Sequence, residues 1–244
     1  MSRKFTKFQS IFIPLLYLVI VLAILVSGCV IFYRTYYSPI YVSGESMYPT
    51  LLGGNTSSKR HHYGIADEHT FALRHLERFD VVTTSYPAGW ASSETTKIKR
   101  VWGFPGETLT MTKNESSYIF KVTRDTKTVY ESVYSIAEQT FSYEGNEMTI
   151  NGLDINYGHR HFLVNVQDKN REFSITLDKD KEEYFLMGDN WANSRDSYSY
   201  VSEGYDRITF SCLEGKVVKM EGTALVDSNG NITDKKPIPA MYNF

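Results

Sequence analysis

The feature that most constrains this chain is a run without any charged residue from Ile11 to Tyr33. A transmembrane helix needs about 20 apolar residues, so the run is long enough to cross a bilayer. Three positive residues precede the run, namely Arg3, Lys4 and Lys7, whereas only Arg34 directly follows it. This charge asymmetry predicts a cytoplasmic N-terminus over residues 1–8, a transmembrane helix over 9–33, and an extracytoplasmic domain over 34–244. Pro14 is expected in the first helical turn, where its missing N–H does least harm.

Two alternatives to a retained anchor are open at this point. A cleaved secretory signal has a shorter apolar core and a small-residue cleavage site. The stretch Val26-Ser27-Gly28-Cys29 is also similar to a lipoprotein processing box, in which Cys29 would carry the lipid. Apolar residues continue through Tyr33, beyond the point where such a signal ends, which favours the retained helix. A retained helix or a lipid on Cys29 would each hold the protein at a membrane, with most of the chain outside.

Composition narrows the class of protein further. The net charge is -2 and 22% of the 244 residues are charged, so nothing here calls for nucleic acid as a partner. Aromatic residues make up 14% of the chain, which favours a β-rich fold over a helical bundle. The two cysteines, Cys29 and Cys212, are not expected to pair because one lies in the predicted span. Too few cysteines therefore remain for a cysteine zinc site.

After a short tether, the chain from about residue 36 onward is predicted to be one mainly β domain. Alternating and β-branched segments separated by turn residues predict the following strands: 79–84, 96–102, 108–112, 118–122, 161–166, 173–177, 184–187, 215–220 and 223–226, the last two forming a final hairpin with Ile232. Turns are predicted at 87–89, 103–106, 146, 151–152 and 229–230. Val129–Thr140 is compatible with either helix or strand.

Residues 53–78 are polar and mixed, and they contain four of the histidines. Their spacing matches no metal-ligand pattern, so we expect solvated loop histidines: His61, His62, His69 and His75. The segment is predicted to be a surface excursion with a short helix near Thr70–Leu76.

The stretch Val42–Leu51 contains a serine, Ser46, in a short segment bracketed by Gly44 and Pro49. These two residues require the backbone to turn, so the Ser46 hydroxyl is presented by a loop. A serine in a turn most often bonds its own backbone, and this feature alone does not indicate catalysis.

Lys99 is a candidate general base for such a serine. Strand periodicity places Lys97, Lys99 and Val101 on one face, with Ile98 and Arg100 on the other. If the Lys99 face packs on the core, loss of hydration lowers the lysine pKa and a neutral amine can accept the serine proton. A lysine on a strand is otherwise a solvated edge residue.

The third stretch, Gly188–Tyr198, is rich in turn-forming polar residues and directly follows an apolar strand. By itself it predicts only a polar loop. Taken together, the three stretches are specific: GESMYPTL around Ser46, IKRVWGFPGE around Lys99, and GDNWANSRDS around Ser194 and Asp196. In this order behind an N-terminal anchor, they resemble the bacterial type I signal peptidases, with Phe79-Asp80-Val81-Val82 as a further structural box. Residues 53–78 and 110–180 carry no recognised signature.

The resemblance implies an all-β fold of coiled antiparallel sheets and a membrane-anchored serine endopeptidase. Its implied substrates are exported preproteins, cut after a small residue of the signal peptide. It also implies no cofactor and no metal. The implied catalytic residues are Ser46 as nucleophile and Lys99 as general base. Supporting residues follow from the same motifs: Ser194 to orient the Lys99 amine, Asp196 behind the site, and Gly44 and Met47 beside the nucleophile.

Three positions depart from the pattern of this family. Many members have arginine at the positions of Trp191 and Tyr198, the latter paired with the aspartate that corresponds to Asp196. Here both residues are aromatic, and Arg195 stands where a small or apolar residue is usual. Either Arg195 substitutes as the partner of an acidic neighbour, or the surroundings of Asp196 have been rebuilt. We expect activity, with a narrowed choice of substrates.

Other functions are compatible with parts of this pattern. One variant is a specialised factor that serves a few surface-protein or pilin clients and acts mainly as an assembly chaperone. Such a chaperone would be expected to lose Ser46 or Lys99, and both are present. A self-cleaving repressor with a Ser-Lys pair needs a DNA-binding domain, whereas residues 1–35 are membrane-like.

Overall fold

The computed structural model describes residues 7–54, 59–86, 96–136, 140–144, 147–151, 164–166, 170–199, 207–227 and 231–237. The chain divides into two units, Met1–Ser38 and Pro39–Phe244. The first unit is helical, and the second contains almost all of the β structure. The predicted turns at 87–89, 146 and 229–230, together with residues 161–163 of one predicted strand, lie outside the described residues.

Helix α1 runs from Lys7 to Tyr36. Within the described part of the chain it is the one helix long and apolar enough to cross a membrane, over Ile11–Tyr36, and its side chains there are almost all exposed. The expectation for Pro14 was wrong, because helix α1 is already formed at Lys7 and Pro14 lies about two turns inside it. A proline there removes one backbone hydrogen bond of the helix. The helix is continuous through Cys29.

The second unit is built mainly from strands. In chain order they are β1 Tyr37–Tyr41, β2 His61–Asp67, β3 Val81–Thr84, β4 Lys97–Gly103, β5 Thr108–Lys113, β6 Ser117–Arg124, β7 Lys127–Ser135, β8 Thr140–Glu144, β9 Glu147–Asn151, β10 Phe173–Thr176, β11 Glu183–Met187, β12 Ile208–Thr209, β13 Leu213–Val226 and β14 Ile232–Pro237. A short helix, α2, spans Thr70–Arg74, and one turn of 3-10 helix directly before β13 spans Phe210–Cys212.

The strands form three antiparallel sheets. The largest has the order β1-β2-β13-β3-β4-β11-β12, and β14 also pairs with β13. A second sheet has the order β10-β5-β6-β7, and β8 pairs with β9. The prediction of a mainly β fold with one N-terminal apolar helix is confirmed. The open choice for Val129–Thr140 resolves as strand, since most of this segment belongs to β7 and Thr140 begins β8.

Two local predictions were wrong. Residues 53–78 are not only a surface excursion, because His61–Asp67 forms β2 and pairs with β13 over its full length. Alternate residues of β2 are buried, and a strand with one face on the core shows this pattern. Residues 215–220 and 223–226 are not separate strands either. They form the single long strand β13, whose register shifts let it pair with β2, β3 and β14 in turn.

The core consists of three clusters of buried apolar side chains. The largest is aromatic and lies around Trp102, Phe120 and Trp191. A second is centred on Val101 and Leu186, and a third joins Met47 and Leu51 to the main sheet. Strand β4 contributes to two clusters because Val101 and Trp102 point to opposite faces and both are fully buried. The strand that carries Lys99 is therefore covered on both faces.

Candidate active site

The loop that carries Ser46 is closed on itself by backbone hydrogen bonds. Gly44 N–H donates to Gly53 O at 3.1 Å, and Leu51 N–H donates to Met47 O at 2.8 Å. Gly44 has φ of +85°, a conformation that side chains other than glycine rarely adopt. Met47 is 1% exposed and packs in the third core cluster, so it fixes the residue next to Ser46 in the core. Ser46 itself is half-buried.

Lys99 reaches Ser46 from the neighbouring strand. The distance from Lys99 Nζ to Ser46 Oγ is 2.7 Å, and Nζ also donates to Ile98 O at 3.0 Å. The Lys99 residue is only 3% exposed. The structure thus brings together two side chains that lie 53 positions apart in the sequence, at a distance suited to proton transfer.

Burial lowers the pKa of Lys99 from its ordinary 10.5 to about 8. The largest cause is desolvation, which disfavours the charged ammonium. The negative charges of Asp196 and Asp189 act in the opposite direction and raise the pKa, while the positive charge of Lys97 lowers it. A measurable fraction of the amine is therefore neutral near physiological pH and can accept a proton.

The loop after β11 begins with a buried ion pair to β4. Arg100 Nε donates to Asp189 Oδ1 at 2.7 Å, and Arg100 Nη2 donates to Asp189 Oδ2 at 2.5 Å. Arg100 also donates to Phe79 O at 2.7 Å. Both charged residues are at most 1% exposed. This two-bond pairing fixes the loop after β11 beside Lys99, the residue that precedes Arg100 on β4.

The same loop holds the backbone around Ser46 through an asparagine. Asn190 N–H donates to Ser46 O at 3.0 Å, and Asn190 Nδ2 donates to Glu45 O at 3.0 Å. Asn190 Oδ1 in turn accepts from Asn165 Nδ2 at 3.0 Å. Asn193 Nδ2 adds a bond to the Glu45 carboxylate at 2.6 Å. The position of the Ser46 peptide therefore depends on this loop.

Ser194 lies at the point where the loop meets the Ser46 backbone. An ideal Cβ placed on Gly188 would stand 2.2 Å from Ser46 O and 2.3 Å from Ser194 Oγ. Glycine at 188 is thus required by the close approach of these groups. Ser194 is buried, and its Oγ has no hydrogen-bond partner among the described residues. The structure therefore shows no hydrogen bond between Ser194 and the Lys99 amine.

Asp196 is fully buried and holds the loop from the other end. Its Oδ2 accepts from Gly188 N–H at 2.9 Å. Its Oδ1 lies 3.5 Å from Nη1 of Arg171, a buried arginine just before β10. Arg195, the nearest arginine in sequence, is exposed, and its carbonyl accepts from Tyr86 Oη at 2.8 Å. The surroundings of Asp196 have thus been rebuilt around Arg171.

The two aromatic departures lie against this arginine. Arg171 Cζ is 4.6 Å from the ring centre of Tyr198 and 5.9 Å from that of Trp191. Sequence reasoning missed Arg171, which belongs to the part of the chain without a recognised signature. The sequence contained one indirect indication. Tyr198 stands where an arginine partner of the aspartate is usual, so Asp196 needs a cation from another part of the chain. No sequence pattern indicated which residue supplies it.

No metal site is evident in the residues that the structure describes, because no group of three His, Cys, Asp or Glu side chains is close enough to hold an ion. Of the histidines expected to be solvated, His62 contradicts the prediction. It is 1% exposed, and its Nδ1 accepts from Leu52 N–H at 2.7 Å. The reason is its position on the buried face of β2.

Comparison with known protein families gave a match over most of the chain. A family model described as "Signal peptidase, peptidase S26" matches residues 13–218. The chain belongs to the signal peptidase family. The matched region contains most of helix α1 and all three segments around Ser46, Lys99 and the loop after β11. A search of curated proteins found no significant match. Membership makes this protein a peptidase, and a preprotein with a signal peptide is the substrate that the family implies.

Proposed function

We propose that this member of the signal peptidase family is a type I enzyme that uses a Ser-Lys dyad. The observation that carries the proposal is the 2.7 Å contact between Ser46 Oγ and the buried Lys99 Nζ. A serine hydroxyl is a weak nucleophile until a base removes its proton, and a lysine with its pKa lowered by burial can be that base.

The reaction proceeds by acyl transfer. Ser46 Oγ attacks the carbonyl carbon of the scissile bond while its proton passes to Lys99 Nζ. Collapse of the tetrahedral intermediate breaks the C–N bond, and the leaving amine of the mature protein takes the proton from Lys99. The signal peptide remains as an ester on Ser46. Lys99 then removes a proton from water, which hydrolyses the ester and regenerates the serine.

The developing oxyanion needs a donor, and we assign this role to the Ser46 N–H. This group has no acceptor among the described residues, and the bonds from Asn190 fix its peptide. Position 44 is glycine, so it offers no hydroxyl. One backbone donor contributes a few kcal/mol in this type of reaction. Ser194 and Asp196 serve as supporting groups of the loop, with Ser194 Oγ available to the amine during turnover.

We also propose that the enzyme is a single-pass membrane protein with a cytoplasmic N-terminus. Helix α1 supports membrane anchoring, and the positive residues that precede the apolar run support the orientation. The clients would then be exported preproteins that carry a small residue at the cleavage site. No cofactor is needed for this chemistry.

The test is cleavage of a preprotein with an Ala-x-Ala site by the detergent-purified full chain. Ser46→Ala and Lys99→Ala should each lower kcat/KM by about 10³-fold or more, as for other nucleophile–base pairs. Ser174→Ala and Lys121→Ala are matched controls on exposed positions of β10 and β6, and they should retain activity. If the wild type binds preproteins without cutting them, the assembly-chaperone function replaces this proposal.

A further inference from the structure

Arg171 is an unusually buried cation for a residue outside the catalytic motifs. It is 1% exposed, and its guanidinium makes two hydrogen bonds to one carbonyl, with Nε 3.2 Å and Nη2 2.7 Å from Trp191 O. Its remaining nitrogen, Nη1, faces Asp196 Oδ1 at 3.5 Å. The planar fork of arginine thus connects the carbonyl near the start of the loop with the carboxylate near its end.

Aromatic rings enclose the same guanidinium. The rings of Tyr198 and Trp191 lie within 6 Å of Arg171 Cζ, a range in which a ring face attracts a cation. The Tyr198 hydroxyl donates to the backbone carbonyl of Asn170, the neighbour of Arg171. The two aromatic residues of the loop that depart from the family pattern therefore form the slot for this arginine.

Asp196 is the group through which Arg171 can act on the proposed base. One of its oxygens is held by Gly188 N–H, and the other faces Arg171. Its negative charge also raises the pKa of Lys99. The other charged groups that act on Lys99 are Asp189, which is paired with Arg100, and Lys97 on the same strand. A buried carboxylate that lost its cation would be stabilised by pairing with another one, and the protonated Lys99 amine is a candidate.

We propose that Arg171 is a positioning residue that keeps the Asp196 carboxylate turned away from the Lys99 amine, so that the amine stays available to Ser46. This inference rests on the proposed role of Lys99 as general base. The arginine that restrains Asp196 comes from a distant segment and is held in place by Tyr198 and Trp191.

The test compares the pH dependence of kcat/KM for the full chain in detergent. In Arg171→Gln, Asp196 loses its restraint and pairs with the Lys99 ammonium. The rise of activity with pH should then move upward by about one unit, which lowers kcat/KM about tenfold at neutral pH. Arg195→Gln removes an exposed arginine next to Asp196 and should leave the profile in place. An unmoved profile in Arg171→Gln overturns the proposal.

Two further variants separate restraint of Asp196 from simple charge and from loss of folding. In Arg171→Lys the cation remains but cannot hold Asp196 and Trp191 O together, so an upward shift is again expected. An unshifted profile would mean that charge alone matters. Arg171→Gln combined with Asp196→Asn leaves no buried charge uncompensated, which favours folding. Its profile should match that of Asp196→Asn alone, and a further shift would contradict an action through Asp196.

A direct titration distinguishes failure of this inference from failure of the proposed mechanism. The ¹⁵N signal of Lys99 Nζ, assigned by its absence in Lys99→Ala, reports the lysine pKa without any substrate. If Lys99→Ala remains active but Arg171→Gln still raises this pKa, the dyad is wrong, and only the restraint of Asp196 by Arg171 is supported. If the dyad is confirmed and the Lys99 pKa does not move in Arg171→Gln, the inference is wrong.

Discussion

At the scale of single residues, the proposed mechanism depends on the protonation of Lys99. Its pKa of about 8 lies well below the ordinary 10.5 because the side chain is buried. In the proposed mechanism the neutral amine is the active form, so kcat/KM should rise with pH and level off above about pH 8. Cleavage rates of one preprotein between pH 6 and 10, at constant ionic strength, measure this limb. If the midpoint of the rise in kcat/KM lay near pH 10.5 instead, the amine would be solvated when substrate binds.

Lys97 is a second test of the same electrostatics. Its positive charge lowers the pKa of Lys99, so Lys97→Gln should raise that pKa and move the activity limb upward by a few tenths of a pH unit. Lys121→Gln removes a lysine from an exposed position of β6 and serves as the control. High salt should reduce the difference between the wild type and Lys97→Gln, because Lys97 is only half-buried.

The sequence motifs predicted Ser46 and Lys99 as a pair, and the structure brings the two side chains together, but the motifs did not predict the ion pairs around them. The alternation of residues 96–102 placed Lys99 on a strand, and the structure has that strand as β4. The bidentate pairing of Arg100 with Asp189 and the contact of Arg171 with Asp196 join segments far apart in the chain. Neither pairing leaves a local pattern, since long-range ion pairs depend on how the sheets pack.

At the scale of elements, the close approach between the loop after β11 and the Ser46 loop makes Gly188 irreplaceable. A Cβ at this position would stand 2.2 Å from a backbone oxygen, which no side-chain rotation can relieve. Gly188→Ala should therefore abolish cleavage or prevent stable folding, as measured by activity and thermal denaturation. Gly28→Ala, in helix α1 where a Cβ meets open space, should leave both unchanged. Normal activity in Gly188→Ala would contradict the observed contact.

Strand β2 contains a buried histidine that should make the fold sensitive to acid. The pKa of His62 is lowered from 6.5 to about 3 by burial, so the unfolded chain binds a proton that the folded chain does not. This contribution to stability is present above pH 6.5 and is lost as pH falls toward 3. In His62→Gln, the decline of the free energy of unfolding over this window should be shallower. Urea denaturation at pH 7, 5 and 4 measures it, and parallel curves would contradict the assignment.

The wrong prediction for residues 53–78 and the wrong prediction for His62 have the same cause. A segment rich in polar residues suggested a surface loop, yet alternate residues of His61–Asp67 are buried against β13. Imidazole can be buried when it is neutral and hydrogen-bonded, and His62 has such a partner in Leu52 N–H. Composition alone therefore did not predict strand β2, because its partner strand β13 lies about 150 residues later in the chain.

At the scale of the whole molecule, the chain consists of a helical unit and a β unit. A chain that begins at Tyr37 retains β1, β4 and the loop after β11, so it should still hydrolyse a short peptide with an Ala-x-Ala site. It should no longer partition into lipid vesicles. Sedimentation with vesicles and peptide hydrolysis measure these two properties. Vesicle binding equal to that of the full chain would mean that helix α1 is not the anchor.

The burial of Lys99 has a consequence for how the cell makes this enzyme. In a chain that has not yet closed its sheets, the amine is solvated, keeps a pKa near 10.5 and is almost entirely protonated at neutral pH. We therefore expect a newly inserted chain to be inert toward itself and its neighbours until β3, β4 and β11 have assembled around the lysine. If Lys99 is the base, as proposed, such a protease needs no inhibitory propeptide during biogenesis, because the base becomes neutral only when folding is complete.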